Sequence, residues 1–166
     1  MTLNNLATLA GQTGHHDRAF SLFYEALEIG TDLADPDIMR LAFGNLAEVC
    51  GVAGRTSDAI FYCRRALDIA RESGDRKAEG VALFNLGRYH QASAQVDLAT
   101  DHFHQALTIY QEVGYRPGEA HTLTCLGDLA YESGRGVDAR GYWHRALTIY
   151  RDLDAPQAEE VAARLA

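Results

Sequence analysis

Proline is scarce in this chain, with 3 among 166 residues, and no low-complexity tract occurs. That excludes a proline-rich linker or stalk. No run reaches the roughly 18 apolar residues of a membrane span. The amino terminus passes from Met1 straight into Asn4 and Asn5, without the pattern of a secretory leader, which leads us to expect a cytoplasmic chain. Basic residues are outnumbered: 15 Lys and Arg face 23 Asp and Glu, a net charge of −8. An acidic chain without a Lys/Arg stripe is a poor fit to direct nucleic-acid binding. The 3 cysteines, Cys50, Cys63 and Cys125, are odd in number and irregular in spacing, which is neither a disulfide framework nor a zinc signature. Cys50 and Cys63 can approach each other across a helical hairpin, and two readings stay open: small apolar core residues, or a redox pair. Alternating strand patterns are absent, as are HExxH, Walker A and GxSxG motifs. No nucleophile–base pair is suggested by spacing.

What the chain does have is a period of forty residues. Leu6, Leu46, Leu86 and Leu126 form one column. Ala19, Ala59, Ala99 and Ala139 form a second, and Ala26, Ala66, Ala106 and Ala146 a third. Leu27, Leu67, Leu107 and Leu147 follow, then Ile29, Ile69, Ile109 and Ile149. A fixed period of this size denotes stacked supersecondary units, which build extended concave binding surfaces.

Residues 36–75 show the unit. Asp35 can cap a helix whose first residue is Pro36. Ile38, Leu41, Ala42, Leu46, Val49 and Cys50 recur at helical spacing, and Gly51 and Gly54 are expected to close that helix. Ala59, Ile60, Cys63, Ala66, Leu67 and Ala70 mark a second helix, ended by Ser73-Gly74-Asp75 with Gly74 suited to a left-handed cap. The spacing predicts first (A) helices over 2–13, 36–52, 76–93 and 116–133, and second (B) helices over 16–32, 56–72, 96–112 and 136–152. The alanine columns let each B helix approach its A partner closely, since larger side chains there would overpack the hairpin. Pro156, Val161 and Leu165 align with Pro36, Leu41 and Asn45, so 155–166 reads as the opening of a fifth A helix. Met1 falls inside the first A helix by the same register, and neither end carries a polar capping helix. The reading is one domain over 1–166, with repeats 1–35, 36–75, 76–115 and 116–154. It is expected to be an excerpt of a longer protein, the alternative being a complete short protein with imperfect caps.

The third repeat reads Leu83, Leu86-Gly87, His90, Ala99, Phe103, Ala106, and the fourth reads Leu123, Leu126-Gly127, Ala130, Ala139, Trp143, Ala146. This pattern resembles the tetratricopeptide repeat (TPR). The resemblance implies an all-α fold, a right-handed α-solenoid of about four hairpins plus a partial fifth A helix, and a non-catalytic binding role. The chain departs from the family's usual period of about 34 residues. The usual late proline is replaced by Thr31, Arg71, Gln111 and Arg151, and the tyrosine column reads Ala10, Cys50, His90 and Ala130. Long-helix TPRs of this kind are similar to those of kinesin light chain. They are similar also to the sensor arrays of bacterial NTPase-containing transcriptional regulators.

In such arrays the A helices line a concave groove. Carried over by position, the resemblance gives Asn4, Asn5, Thr8 and Gln12, then Leu41, Gly44, Asn45, Glu48 and Val52. It gives Val81, Phe84, Asn85, Arg88 and Gln91 in the third repeat, and His121, Thr124, Cys125, Asp128, Tyr131 and Glu132 in the fourth. Asn5, Asn45 and Asn85 form a ladder that could hydrogen-bond an extended peptide, because an amide offers donor and acceptor together; bonding to neighbouring helices or water is the alternative. Cys125 breaks that ladder. Arg88 is the groove cation among Glu48, Asp128 and Glu132, so a C-terminal-carboxylate clamp is disfavoured. Asp128 and Glu132 read as a solvated charged face rather than a catalytic pair. Of the 7 histidines, His15 and His16 sit at a turn, His102 and His104 point apart on one helix, and His90 stands in the core tyrosine position. No metal or cofactor is called for. The expected partner is a peptide or protein in the groove, with self-association through the solenoid ends and a small-molecule sensor as alternatives.

Overall fold

A computed structural model describes residues 15–166. Eight helices follow one another: α1 (His16–Asp32), α2 (Pro36–Val52), α3 (Thr56–Ser73), α4 (Arg76–Ala92), α5 (Val96–Glu112), α6 (Arg116–Glu132), α7 (Gly136–Asp152) and α8 (Gln157–Leu165). The extensive contacts run between consecutive helices. The result is a right-handed α-solenoid in which α2–α3, α4–α5 and α6–α7 are hairpins. α1 is the preceding B helix and α8 the partial A helix that follows. The predicted first A helix lies outside the described residues.

The columns explain the stacking. Ala19, Ala59, Ala99 and Ala139 are all fully buried, as the close-approach argument requires. Leu46, Leu86 and Leu126 sit in the core, as do the Leu67 and Ile69 columns from the second repeat onward. The first copy is looser: Leu27 is only half-buried and Ile29 is exposed. Gly87 and Gly127 show why Leu-Gly recurs. A Cβ on Gly87 would lie 2.6 Å from the Phe103 ring, and one on Gly127 would strike Trp143. Each glycine makes room for the aromatic residue of its own B helix.

Asp35 caps α2, its Oδ1 accepting from the backbone N–H of Asp37 at 3.0 Å and Ile38 at 3.1 Å. Gly51 does not close α2 as expected. It lies within the helix and makes room for Tyr89, a Cβ there falling 2.6 Å from that ring. Helix termination instead follows a shorter period. Ala34, Gly54, Gly74, Ala94, Gly114, Gly134 and Asp154 all adopt positive φ, one at each junction. At each, the following N–H reaches back five residues, as in Arg55 N to Cys50 O (2.8 Å) and Gln95 N to His90 O (2.9 Å). This is the Schellman arrangement, which satisfies carbonyls that a helix end otherwise leaves unpaired.

Alanine pays a steric penalty in this conformation that glycine does not. Ala94 has φ 56° on an exposed turn. Ala94→Gly is therefore expected to stabilise the chain by about 0.5–1 kcal/mol, net of the entropy glycine adds to the unfolded state. Thermal unfolding followed by circular dichroism checks this, and a lowered midpoint would contradict it.

Ion pairs close the third and fourth hairpins at one edge. Arg76 joins Glu112, and Arg116 joins Asp152 at 3.0 Å, each linking the start of an A helix to the end of its B helix. Glu79, almost buried, lies between Arg71 and Arg76. Burial acts to raise its carboxyl pKa, and the two guanidinium groups overcome that and hold it below the usual range.

Candidate ligand-binding groove

Among the described residues, clefts open between successive A helices. The smaller, about 330 Å³, lies between α2 and α4. Leu41, Gly44, Asn45 and Glu48 form one wall, and Lys77, Val81 and Asn85 the other. Asn45 and Asn85, one repeat apart, thus face a common space. Arg40 also lines it, pairing with Asp37 at 3.4 Å and Asp75 at 3.7 Å.

The larger cleft, about 680 Å³, runs from the edge of α4 across α6 to α8. Phe84, His121, Thr124, Cys125 and Asp128 line it. Their surroundings limit what they can offer. Phe84 is buried, with its ring 5.5 Å from Phe103 and 4.8 Å from His121. Thr124 is buried too, its hydroxyl donating to the Ala120 carbonyl at 3.0 Å.

Asp128 is not a solvated charge. Its Oδ1 accepts from Trp143 Nε1–H and from Arg164 Nε–H, each at 2.9 Å, and its Oδ2 accepts from Arg164 Nη2 at 3.3 Å. A carboxylate this well matched to a guanidinium fork is already neutralised. Glu132 is exposed.

Two further ionisable residues of this cleft, Cys125 and His121, are held toward their uncharged forms. Burial, then Asp128, pushes the Cys125 thiol up to about 12. Burial, then Arg88, holds His121 below the ordinary imidazole value. Cys63 is likewise pushed up to about 12 by burial. Its thiol donates to the Ala82 carbonyl at 3.2 Å, and Cys50 is buried and free, so both are core residues.

Arg88, Gln91 and Tyr131 lie outside these two clefts. Arg88 is exposed, Gln91 half-buried, and Tyr131 exposed with its ring 5.6 Å from Trp143. Asn5, Thr8 and Gln12, with Asn4, fall outside the described residues.

Sequence reasoning missed the B-helix contribution. Tyr110 and Tyr150, one period apart, line the larger cleft, as does Tyr115, over whose ring the Lys77 ammonium sits at 4.4 Å. It also missed Arg164 on α8. Among the described residues no three or more His, Cys, Asp or Glu side chains are placed to hold a metal ion, and no helix is long and apolar enough to cross a membrane.

A solenoid of helical hairpins with clefts between its A helices is the architecture of an interaction scaffold. Family profiles described as Tetratricopeptide repeat match residues 37–112 and 1–37. The chain belongs to the tetratricopeptide repeat family, whose fold is generally a non-catalytic protein-interaction scaffold. Comparison with curated proteins gave no sequence match.

Solved structures agree on the fold. BtubC (BKLC) from P. vanneervenii is 26% identical with a TM-score of 0.83, covering 90% of this chain and 61% of that one. A kinesin-light-chain-like protein with nearly identical TPR-like repeats from Podosopora anserina is 16% identical at TM-score 0.80, covering 96% and 79%. A signal transduction ATPase with numerous domains from Pyrococcus horikoshii, which carries a tetratricopeptide repeat sensor, is 17% identical at TM-score 0.84. That match covers 96% of this chain and 25% of that one. The chain thus spans about three fifths of BtubC and a quarter of the ATPase.

Proposed function

We propose that this chain is a peptide-binding scaffold whose ligand lies along the A helices, and that it serves as the sensor or effector-binding segment of a larger bacterial regulator. The observation that carries the peptide reading is the pair Asn45 and Asn85, one repeat apart on facing walls of one cleft. Amides at that interval suit an extended main chain, which presents donors and acceptors in turn. The neighbouring cleft supports an apolar anchor residue in the ligand. Asp128 is neutralised by Arg164, Cys125 stays protonated and His121 is disposed to stay neutral, so an ionised side chain would find no unspent counter-charge among these three. The ATPase's repeat sensor supports the regulatory setting by analogy of fold.

The test begins with peptides selected from a displayed random library against the purified chain. Asn45→Ala combined with Asn85→Ala is expected to weaken the selected peptides by about 10- to 30-fold, two hydrogen bonds at about 1 kcal/mol each. Unchanged affinity by calorimetry would remove the asparagine ladder from the binding site.

A further inference from the structure

The third hairpin contains a feature the other described repeats lack. His90, on α4, is 3% exposed. His102, on α5, lies against it with ring centroids 5.2 Å apart and planes 19° from parallel. His90 Nδ1 is 2.6 Å from Gln95 Oε1, which sets that nitrogen as the donor and leaves Nε2 with the lone pair. His90 Nε2 and His102 Nδ1 are both buried without a hydrogen-bond partner. The matching columns read Cys50 with Tyr62 in the second repeat and Ala130 with Tyr142 in the fourth, so two imidazoles meet only in the third of these.

We propose that the stacked His90–His102 pair is a proton-sensitive brace, and that acidification loosens the packing of α5 on α4, the helix that carries Asn85 and Arg88. The physical reason is local. A charged imidazole has two N–H donors, and the buried Nδ1 of His102 has no acceptor among the described residues. The groups bearing on His102 are the other imidazole, His90, from α4, Arg64 and Arg71 from α3, and Asp101 on its own helix. Three of these four disfavour a positive charge, and burial disfavours it more.

The sign follows. His102 is held below the ordinary imidazole value in the folded chain, so the unfolded chain binds the proton more readily. The contribution to stability is fully present above the ordinary histidine value of about 6.5 and is lost as pH falls below it. The consequence for ligand binding rests on the groove reading above; the brace itself does not.

The test compares the purified chain with His102→Tyr, which installs the residue found at this column in the second and fourth repeats. Between about pH 7.5 and about pH 5.5, where histidine titrates, the melting temperature of the wild type is expected to fall further than that of the variant. Equal falls would overturn the proposal. Side-chain NMR titration of the wild type gives a second reading that needs no variant. His102 is expected to titrate below the ordinary value, and titration at or above it would overturn the proposal. Hydrogen exchange, corrected for intrinsic pH dependence, is expected to accelerate at α4 and α5 amides on acidification. Acceleration confined to other helices would overturn it as well. None of these measurements uses a ligand, so a failure of the groove reading leaves their outcome unchanged.

Discussion

Phe103→Ala is expected to lower the unfolding free energy by about 3–5 kcal/mol, the range for truncating a buried aromatic core residue. Phe103 is fully buried on α5, with its ring over Gly87 of α4 and beside Phe84. The glycine has no side chain with which to fill the space, and Phe84 is already held against His121. Collapse into the cavity is therefore limited, which places the cost toward the upper part of the range.

The position also matters. A solenoid's stability is close to a sum of repeat terms and nearest-neighbour terms, so weakening a central hairpin uncouples its flanks. The chain's 1 tryptophan, Trp143, sits on α7 in the following repeat and reports on it separately. In denaturant titrations of the variant, Trp143 fluorescence and far-ultraviolet circular dichroism are expected to give separate midpoints. A loss below about 1 kcal/mol, or coincident midpoints with the wild-type slope, would show that the third hairpin is not the link described here.

Much of the fold was legible because it rests on local signals that repeat. The α2, α5 and α7 boundaries follow from the apolar spacing, and at α2 Asp35 and Pro36 add a capping signal. The alanine columns announced close approach, and all four members of the first such column are fully buried. The junction conformation was only half legible. Glycine marks positive φ at Gly54 and Gly74, but Ala34, Ala94 and Asp154 adopt it because the flanking helices impose the turn.

The residues lining the two clefts were legible in outline and their chemistry was not. Position alone placed Asn45 and Asn85 together, and it equally nominated Phe84, Thr124 and Asp128. Thr124 bonds within its own helix, to Ala120, but the partners of Phe84 and Asp128 come from other elements: Phe103 on α5, Trp143 on α7, Arg164 on α8. A side chain's availability depends on neighbours tens of residues away, as in the 36-residue separation of Asp128 and Arg164. That pair has no counterpart one period earlier, where the columns read Arg88 and Thr124. The same holds for His90 and His102, each unremarkable in its own column and distinctive only in combination.

Gly127→Val is expected to destabilise the chain by about 3–5 kcal/mol, combining an overpacking cost with the loss of a hydrogen bond to a charged group. A side chain at 127 meets the indole of Trp143 at Nε1 and its adjoining carbon. That ring is rigid, 5% exposed and flanked by Tyr131, so it cannot yield at a flexible end. It must move as a unit, and moving it breaks the Trp143 Nε1–H bond to Asp128. Asp128 is also what holds Arg164, and with buried Val161 that contact docks α8. The effect should therefore spread to α8, where amide hydrogen exchange is expected to accelerate more than in α2 or α3. Combining the substitution with Trp143→Phe supplies the control, because the smaller ring relieves the clash. The double variant is expected to be more stable than the sum of the two single costs by about 1 kcal/mol or more. Simple additivity would show that the glycine column is not there to make room for the aromatic residue of its own hairpin.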